Sequence, residues 1–165
     1  MLSIYLTNLA KYNNGELFGQ WVNLGDLTDE ELETITKEVL CGDEELFITD
    51  YEWDGVSVFN VGEYENIELL KIRADELSSL CEQELKKIRY LMSQVGYDFD
   101  GAMRNLEDCD IYEDMSLKDL AYDFVEEGLF GDIPDNIKNY LDYDAIARDL
   151  GFDYVEFEGD IFRAA

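Results

Sequence analysis

Apolar and polar residues alternate from the start of the chain: Ile4 and Leu6 share one side and Tyr5 and Thr7 the other, a period of two that predicts a strand over Ser3–Asn8. The chain returns through Asn13-Asn14-Gly15 into Leu17–Leu24, and an Asn-Gly turn between two such runs predicts an antiparallel pair. Thr28-Asp29-Glu30-Glu31 has the spacing of a capping box. Leu32, Ile35, Val39 and Leu40 then form a helical stripe that stops near Gly42. Strand character resumes over Glu45–Trp53, and Val56, Val58 and Val61 predict one more short strand. Residues 1–61 thus form a small mixed α/β domain.

From Glu65 to about Gln94 the period changes. Ile67, Leu70, Ala74, Leu77 and Leu80, then Leu85, Ile88, Leu91, Met92 and Val95, follow helical spacing, with Gly96 as the stop and a short helix over Asp98–Asn105. Residues 62–103 therefore form a helical domain. In residues 104–165, Ser116 caps a helix whose Leu117, Leu120, Ala121, Phe124 and Val125 face inward, with Gly128 just past its end. Pro134 suits the first turn of another helix, Asp142–Gly151 supplies a third, and Phe152–Phe162 closes as a hairpin around Glu158-Gly159. The fold class expected is α+β, in three small domains joined by short connections, since the chain has one proline and no low-complexity linker.

Charge changes the picture most. Forty acids against 12 bases give a net −28 on 165 residues, yet 47% of the residues are apolar and 13% aromatic. A disordered acidic tail lacks that apolar content, so the chain is a folded protein that tolerates self-repulsion to present a negative surface. The three regions carry −11, −4 and −13, so the ends are the acidic parts. Scattered, outnumbered cations argue against direct nucleic-acid binding, and no apolar run reaches membrane-spanning length, so a cytoplasmic protein with no membrane association is expected. Cys41, Cys81 and Cys109 are too widely spaced for a metal or disulfide framework and are expected to be buried free thiols.

Histidine is absent, which removes the usual general base, the Ser/His and Cys/His pairs and the commonest transition-metal ligand. No phosphate loop or nucleophile elbow occurs, so no catalytic residue and no cofactor is expected, and the chain is not read as an enzyme. Asp50-Tyr51-Glu52-Trp53-Asp54-Gly55 begins like a calcium loop. Its twelfth position is Val61 where a bidentate Glu is required, so no metal site is expected there. Trp21 and Trp53, in strand-like segments, are read as core or cross-strand residues.

The arrangement of the acids is more specific. Asp119, Asp123, Glu126 and Glu127 fall at i, i+4, i+7 and i+8 and mark a carboxylate stripe opposite an apolar helix face. Glu30, Glu31 and Glu33, beside Asp29, form a second cluster, part of which a helix N-terminus explains. Any one of these acids is ordinarily a solvated surface residue. Taken together, the 28 net charges equal those on ~48 Å of duplex DNA, or about 14 base pairs. A compact chain of this length is roughly 40 Å across, so one subunit matches the charge of DNA over its own length.

Two segments carry a family resemblance: Ile4–Leu24, with its asparagine-leucine, tyrosine-asparagine and glycine-glutamate-leucine elements, and Gly131–Leu150, with its proline, asparagine-tyrosine and alanine-arginine-aspartate. In these the chain resembles the ArdA antirestriction proteins, and the similarity runs from end to end. The resemblance implies a DNA mimic that occupies the DNA-binding groove of type I restriction–modification enzymes, encoded on mobile elements and acting in the cytoplasm. It also implies an elongated molecule of three small domains, mixed α/β, helical and mixed α/β, that forms a homodimer through the C-terminal one. The seven carboxylates Glu30, Glu31, Glu33, Asp119, Asp123, Glu126 and Glu127 would then stand in for phosphates. An acidic chaperone for basic DNA-binding proteins is the alternative that charge alone leaves open.

Overall fold

The computed structural model describes residues 1–164. The fold is mixed α+β, with two three-stranded antiparallel sheets and eight α-helices among the described residues. The chain divides into two compact units, Met1–Lys86 and Lys87–Ala165.

The first unit contains β1 (Leu2–Asn8), α1 (Leu9–Asn13), β2 (Gly19–Asn23), α2 (Asp29–Leu40), β3 (Leu46–Trp53) and α3 (Ile67–Ser78). Its sheet runs in the order β2-β1-β3, with β1 in the centre, and the alternation predicted for that strand holds through Leu6, whereas Thr7, expected on the polar side, is fully buried. Leu2, Ile4 and Leu6 are buried together with Val22, Leu24, Leu32, Val39, Ile48, Leu70 and Ala74, so α2 and α3 both contribute to this core. Helix α2 starts as its sequence predicts. The Thr28 hydroxyl accepts the Glu31 N–H at 3.3 Å, and the Glu31 carboxylate accepts the Thr28 N–H at 2.8 Å. It ends where Cys41 and Gly42 turn left-handed.

The β1–β2 connection departs from a tight Asn-Gly hairpin by inserting α1. Asn8, fully buried, is the cause: its Oδ1 accepts the Lys11 N–H at 3.0 Å and caps α1. Its amide donates to the Val39 and Leu40 carbonyls at the end of α2 and to Asp43. One side chain thus starts α1 and satisfies carbonyls that α2 leaves unpaired. Asn8→Ala is expected to cost about 2–3 kcal/mol, because several buried polar groups lose their partner at once. Urea unfolding monitored by circular dichroism measures this, and a loss under about 1 kcal/mol would contradict the role.

The short strand expected around Val56–Val61 is absent. This segment meets β3 through the Ile48 N–H to Glu63 carbonyl bond and through the Trp53 indole N–H to the Phe59 carbonyl, not through a ladder. The long helical run divides at Ser79–Cys81 into α3 and α4 (Glu82–Tyr90), where the Glu84 carboxylate takes the Cys81 N–H. A π-helical turn, Leu91–Val95, follows and stops at Gly96 with φ 87°.

The second unit continues with α5 (Phe99–Arg104), β4 (Cys109–Tyr112), α6 (Leu117–Glu126), α7 (Asp135–Lys138), α8 (Tyr143–Leu150), β5 (Val155–Phe157) and β6 (Asp160–Ala164). Its sheet has the order β4-β6-β5. The predicted hairpin is β5–β6, with Glu158 and Gly159 both at positive φ, as a primed two-residue turn requires. Strand β4 leaves no signal in the sequence, since four residues are too few to display a period. Pro134 sits immediately before α7, as its N-cap. Helix α6 buries Leu120, Ala121, Phe124 and Val125 against Tyr154, Ile161 and Tyr143. The Arg89 guanidinium holds Glu158 through two bonds, at 2.7 and 2.6 Å, and keeps its carboxyl below the ordinary range.

The thiols differ from expectation. Cys109 is buried, and desolvation pushes it up to about 11. Cys41 and Cys81 are exposed because each lies at a helix boundary and not on an apolar face. No helix among the described residues is long and apolar enough to cross a membrane.

Candidate functional site

Acids and bases are distributed differently between surface and interior. Seventeen of the 20 Asp and 17 of the 20 Glu are exposed, against five of the 12 cations: Lys37, Arg104, Lys118, Arg148 and Arg163. Charge visible to a partner is therefore more one-sided than the net −28. Each unit exposes 17 of these carboxylates, so the negative surface is not a local patch.

Several cations are also consumed internally. Lys71, 4% exposed, binds both Asp75 oxygens. Lys138 bridges Glu126 at 3.0 Å and Asp135 at 3.3 Å, and Lys11 lies 3.7 Å from the centre of the Phe18 ring.

The seven sequence-predicted carboxylates lie on α2, on α6 and, for Glu127, at the C-cap of α6. All are exposed except Asp123, which is half-buried. They separate into two groups that spacing alone did not distinguish. Glu31 and Asp119 complete capping boxes with Thr28 and Ser116, which holds both carboxyls below the ordinary range. Glu33 pairs with Lys37 at 2.5 Å, which lowers it likewise, and Glu126 pairs with Lys138. Glu30, Asp123 and Glu127 have no ion-pair partner among the described residues. These three are free to meet a partner's cations, while the other four already hold local structure.

From Asp119 to the C-cap Glu127, α6 advances eight residue steps, ~12 Å of helix axis. Four carboxylates over that length stand on average ~4 Å apart along the axis, comparable with the one phosphate per 3.4 Å of a single DNA strand. Helical spacing does not reveal a further stretch: Asp132, Asp135, Asp142, Asp144, Asp149 and Asp153 are all exposed on and around α7 and α8. Asp142 caps α8, and Asp144 takes Lys118 at 2.8 Å. The recurring Asp from Asp142 to Asp153 was the available signal.

Asp50 and Glu52, which open the calcium-like run, lie in extended strand β3, so the segment does not wrap as a ligand loop does. Self-repulsion on this scale should destabilise the fold at low ionic strength. Raising salt from about 10 mM to about 200 mM shortens the screening length from ~30 to ~7 Å. An increase in Tm of roughly 5–10 °C is expected, equivalent to about 2–3 kcal/mol for a chain of this size. Calorimetric melts showing no rise would contradict it.

A family model described as antirestriction protein (ArdA) matches residues 4–163 of the chain. No curated protein matches it.

Proposed function

Since the chain belongs to the ArdA antirestriction family, we propose that it inhibits type I restriction–modification enzymes by mimicking B-form DNA and competing for their DNA-binding groove. The observation that carries this reading is the asymmetry of the surface, 34 exposed carboxylates against five exposed cations, distributed over both units. Each exposed carboxylate takes the place of a phosphate, and binding draws on counterion release with no need for base-like contacts. No reaction is catalysed and no cofactor is used.

The active form is a homodimer, formed through residues 104–165, of elongated subunits whose three small domains cover 1–61, 62–103 and 104–165. Exposed apolar side chains in the last of these, Tyr140 at 86% and Phe152 at 85% with Leu129, Phe130 and Ile137, support an interface there. Doubling the subunit brings the charge to that of about 28 base pairs. The setting is the cytoplasm of a cell receiving foreign DNA carried by a mobile element.

The test is biological. Unmodified phage plated on cells with a type I system should recover plating efficiency when the chain is expressed, with no change in cells lacking the system. Unchanged restriction at confirmed expression would refute the proposal. Equal binding to unrelated basic proteins would favour an acidic chaperone.

A further inference from the structure

The sheet of the first unit has a second face whose Thr7–Phe47 end is buried but which the core does not use around Tyr5 and Ser3. Tyr5 on β1 stands opposite Trp21 on β2 and opposite Asp50 on β3, and Ser3 stands opposite Asn23 and Glu52. Cross-strand partners project to the same side. That face therefore presents two rows, Trp21–Tyr5–Asp50 and Asn23–Ser3–Glu52, while Leu2, Ile4 and Leu6 project to the core. Trp21 is 46% exposed and meets Tyr5 edge-to-face at 5.5 Å and 73°. Asp50 and Glu52 are exposed, and neither has an ion-pair partner among the described residues. Asp50 Oδ1 accepts the neighbouring Tyr51 N–H. Lys11, Lys37, Lys71 and Arg73 are engaged elsewhere, with Phe18, Glu33, Asp75 and Glu65.

An exposed indole on an edge strand gains nothing from phosphate mimicry, which requires charge alone. Flanking Tyr5 on one side as Asp50 does on the other, two strand spacings or roughly 10 Å away, it forms with Tyr5 and that carboxylate a surface that matches one cation better than others. A guanidinium is planar and weakly hydrated, stacks on indole, and bonds a carboxylate through two N–H groups at once. A lysine ammonium, compact and strongly hydrated, gains less from either contact.

We propose that this sheet face is a docking site for arginine side chains on the basic surface of the protein that the chain inhibits, with Trp21 and Tyr5 as the stacking platform and Asp50 and Glu52 as the carboxylate partners. The identity of that protein as a restriction enzyme rests on the DNA-mimic reading, whereas the arginine preference follows from the face itself. It adds a selective element to an otherwise unselective electrostatic surface.

The experiment compares a fluorescently labelled arginine octapeptide with a lysine octapeptide of equal charge, by anisotropy, on the full chain. Trp21→Val, suited to a half-exposed strand position, should weaken the arginine peptide about 5-fold and the lysine peptide by less than about 2-fold. Trp21→Phe, which retains a weaker ring face, should fall between and guards against misfolding of the valine variant. Equal loss for both peptides, or no loss for either, would overturn the assignment. Displacement of duplex from a type I enzyme, measured alongside with the unsubstituted chain, separates failure of this face from failure of the DNA-mimic reading.

Discussion

Replacing Glu30, Glu31, Glu33, Asp119, Asp123, Glu126 and Glu127 together by their amides is expected to weaken inhibition of a type I enzyme by at least about 10³-fold, whereas no single replacement should cost more than about 5-fold. The scale follows from counterion release. A slope of about −0.9 per neutralised phosphate, taken from 1 M to ~0.15 M salt, makes each contact worth about fivefold. Seven such contacts would exceed about 10³ even if two were not engaged. The structure also ranks them. Glu30, Asp123 and Glu127 have no internal cation, whereas Glu33 and Glu126 are partly offset by Lys37 and Lys138. The triple variant at the first three positions should therefore lose more than the double at Glu33 and Glu126. Glu31→Gln retains the capping geometry, lowering the net charge relieves self-repulsion, and a melt of the seven-fold variant followed by circular dichroism separates lost binding from lost fold. If Asp123→Asn alone abolished inhibition with the fold intact, the distributed mechanism would be wrong.

Affinity for the enzyme should fall roughly 10³-fold between 50 and 200 mM salt, as for a protein that makes six or more phosphate contacts. The same change in salt should raise the melting temperature of the free chain. The two responses have opposite sign, so weaker binding in salt cannot be attributed to a weaker fold. Calorimetric titration at several salt concentrations measures the slope. A slope near zero would mean that apolar contacts, and not the carboxylates, hold the complex.

Much of the fold is legible in the sequence where local chemistry and tertiary packing agree. Thr28 with Glu31 and Ser116 with Asp119 announce α2 and α6, and both form capping boxes. Glu158-Gly159 announces the β5–β6 turn. Failures occur where a distant partner decides. Asn8 reads as the end of a strand, but its side chain reaches the end of α2, more than 30 residues away, and so seeds α1. Val56 and Val58 have strand-forming side chains but lie in a loop held to β3 by isolated hydrogen bonds.

The candidate surface was legible in kind but not in detail. Helical spacing identified the α6 stripe. Which of its carboxylates are free depends on Lys138, 12 residues beyond Glu126, and no periodicity locates that contact. The aromatic face at Trp21 was hidden for a related reason. Period two puts Tyr5 opposite the core, but only strand register brings Trp21 and Asp50 to its two sides.

The most direct measurement titrates the purified chain into a type I restriction–modification enzyme bound to labelled target duplex, at low and at moderate salt. The account predicts displacement of the duplex, complete at a fixed ratio of chain to enzyme at low salt, with weaker competition as salt rises. Duplex that stays bound at both salt concentrations, on an enzyme shown to bind it reversibly, would contradict the claim that this acidic surface takes the place of DNA.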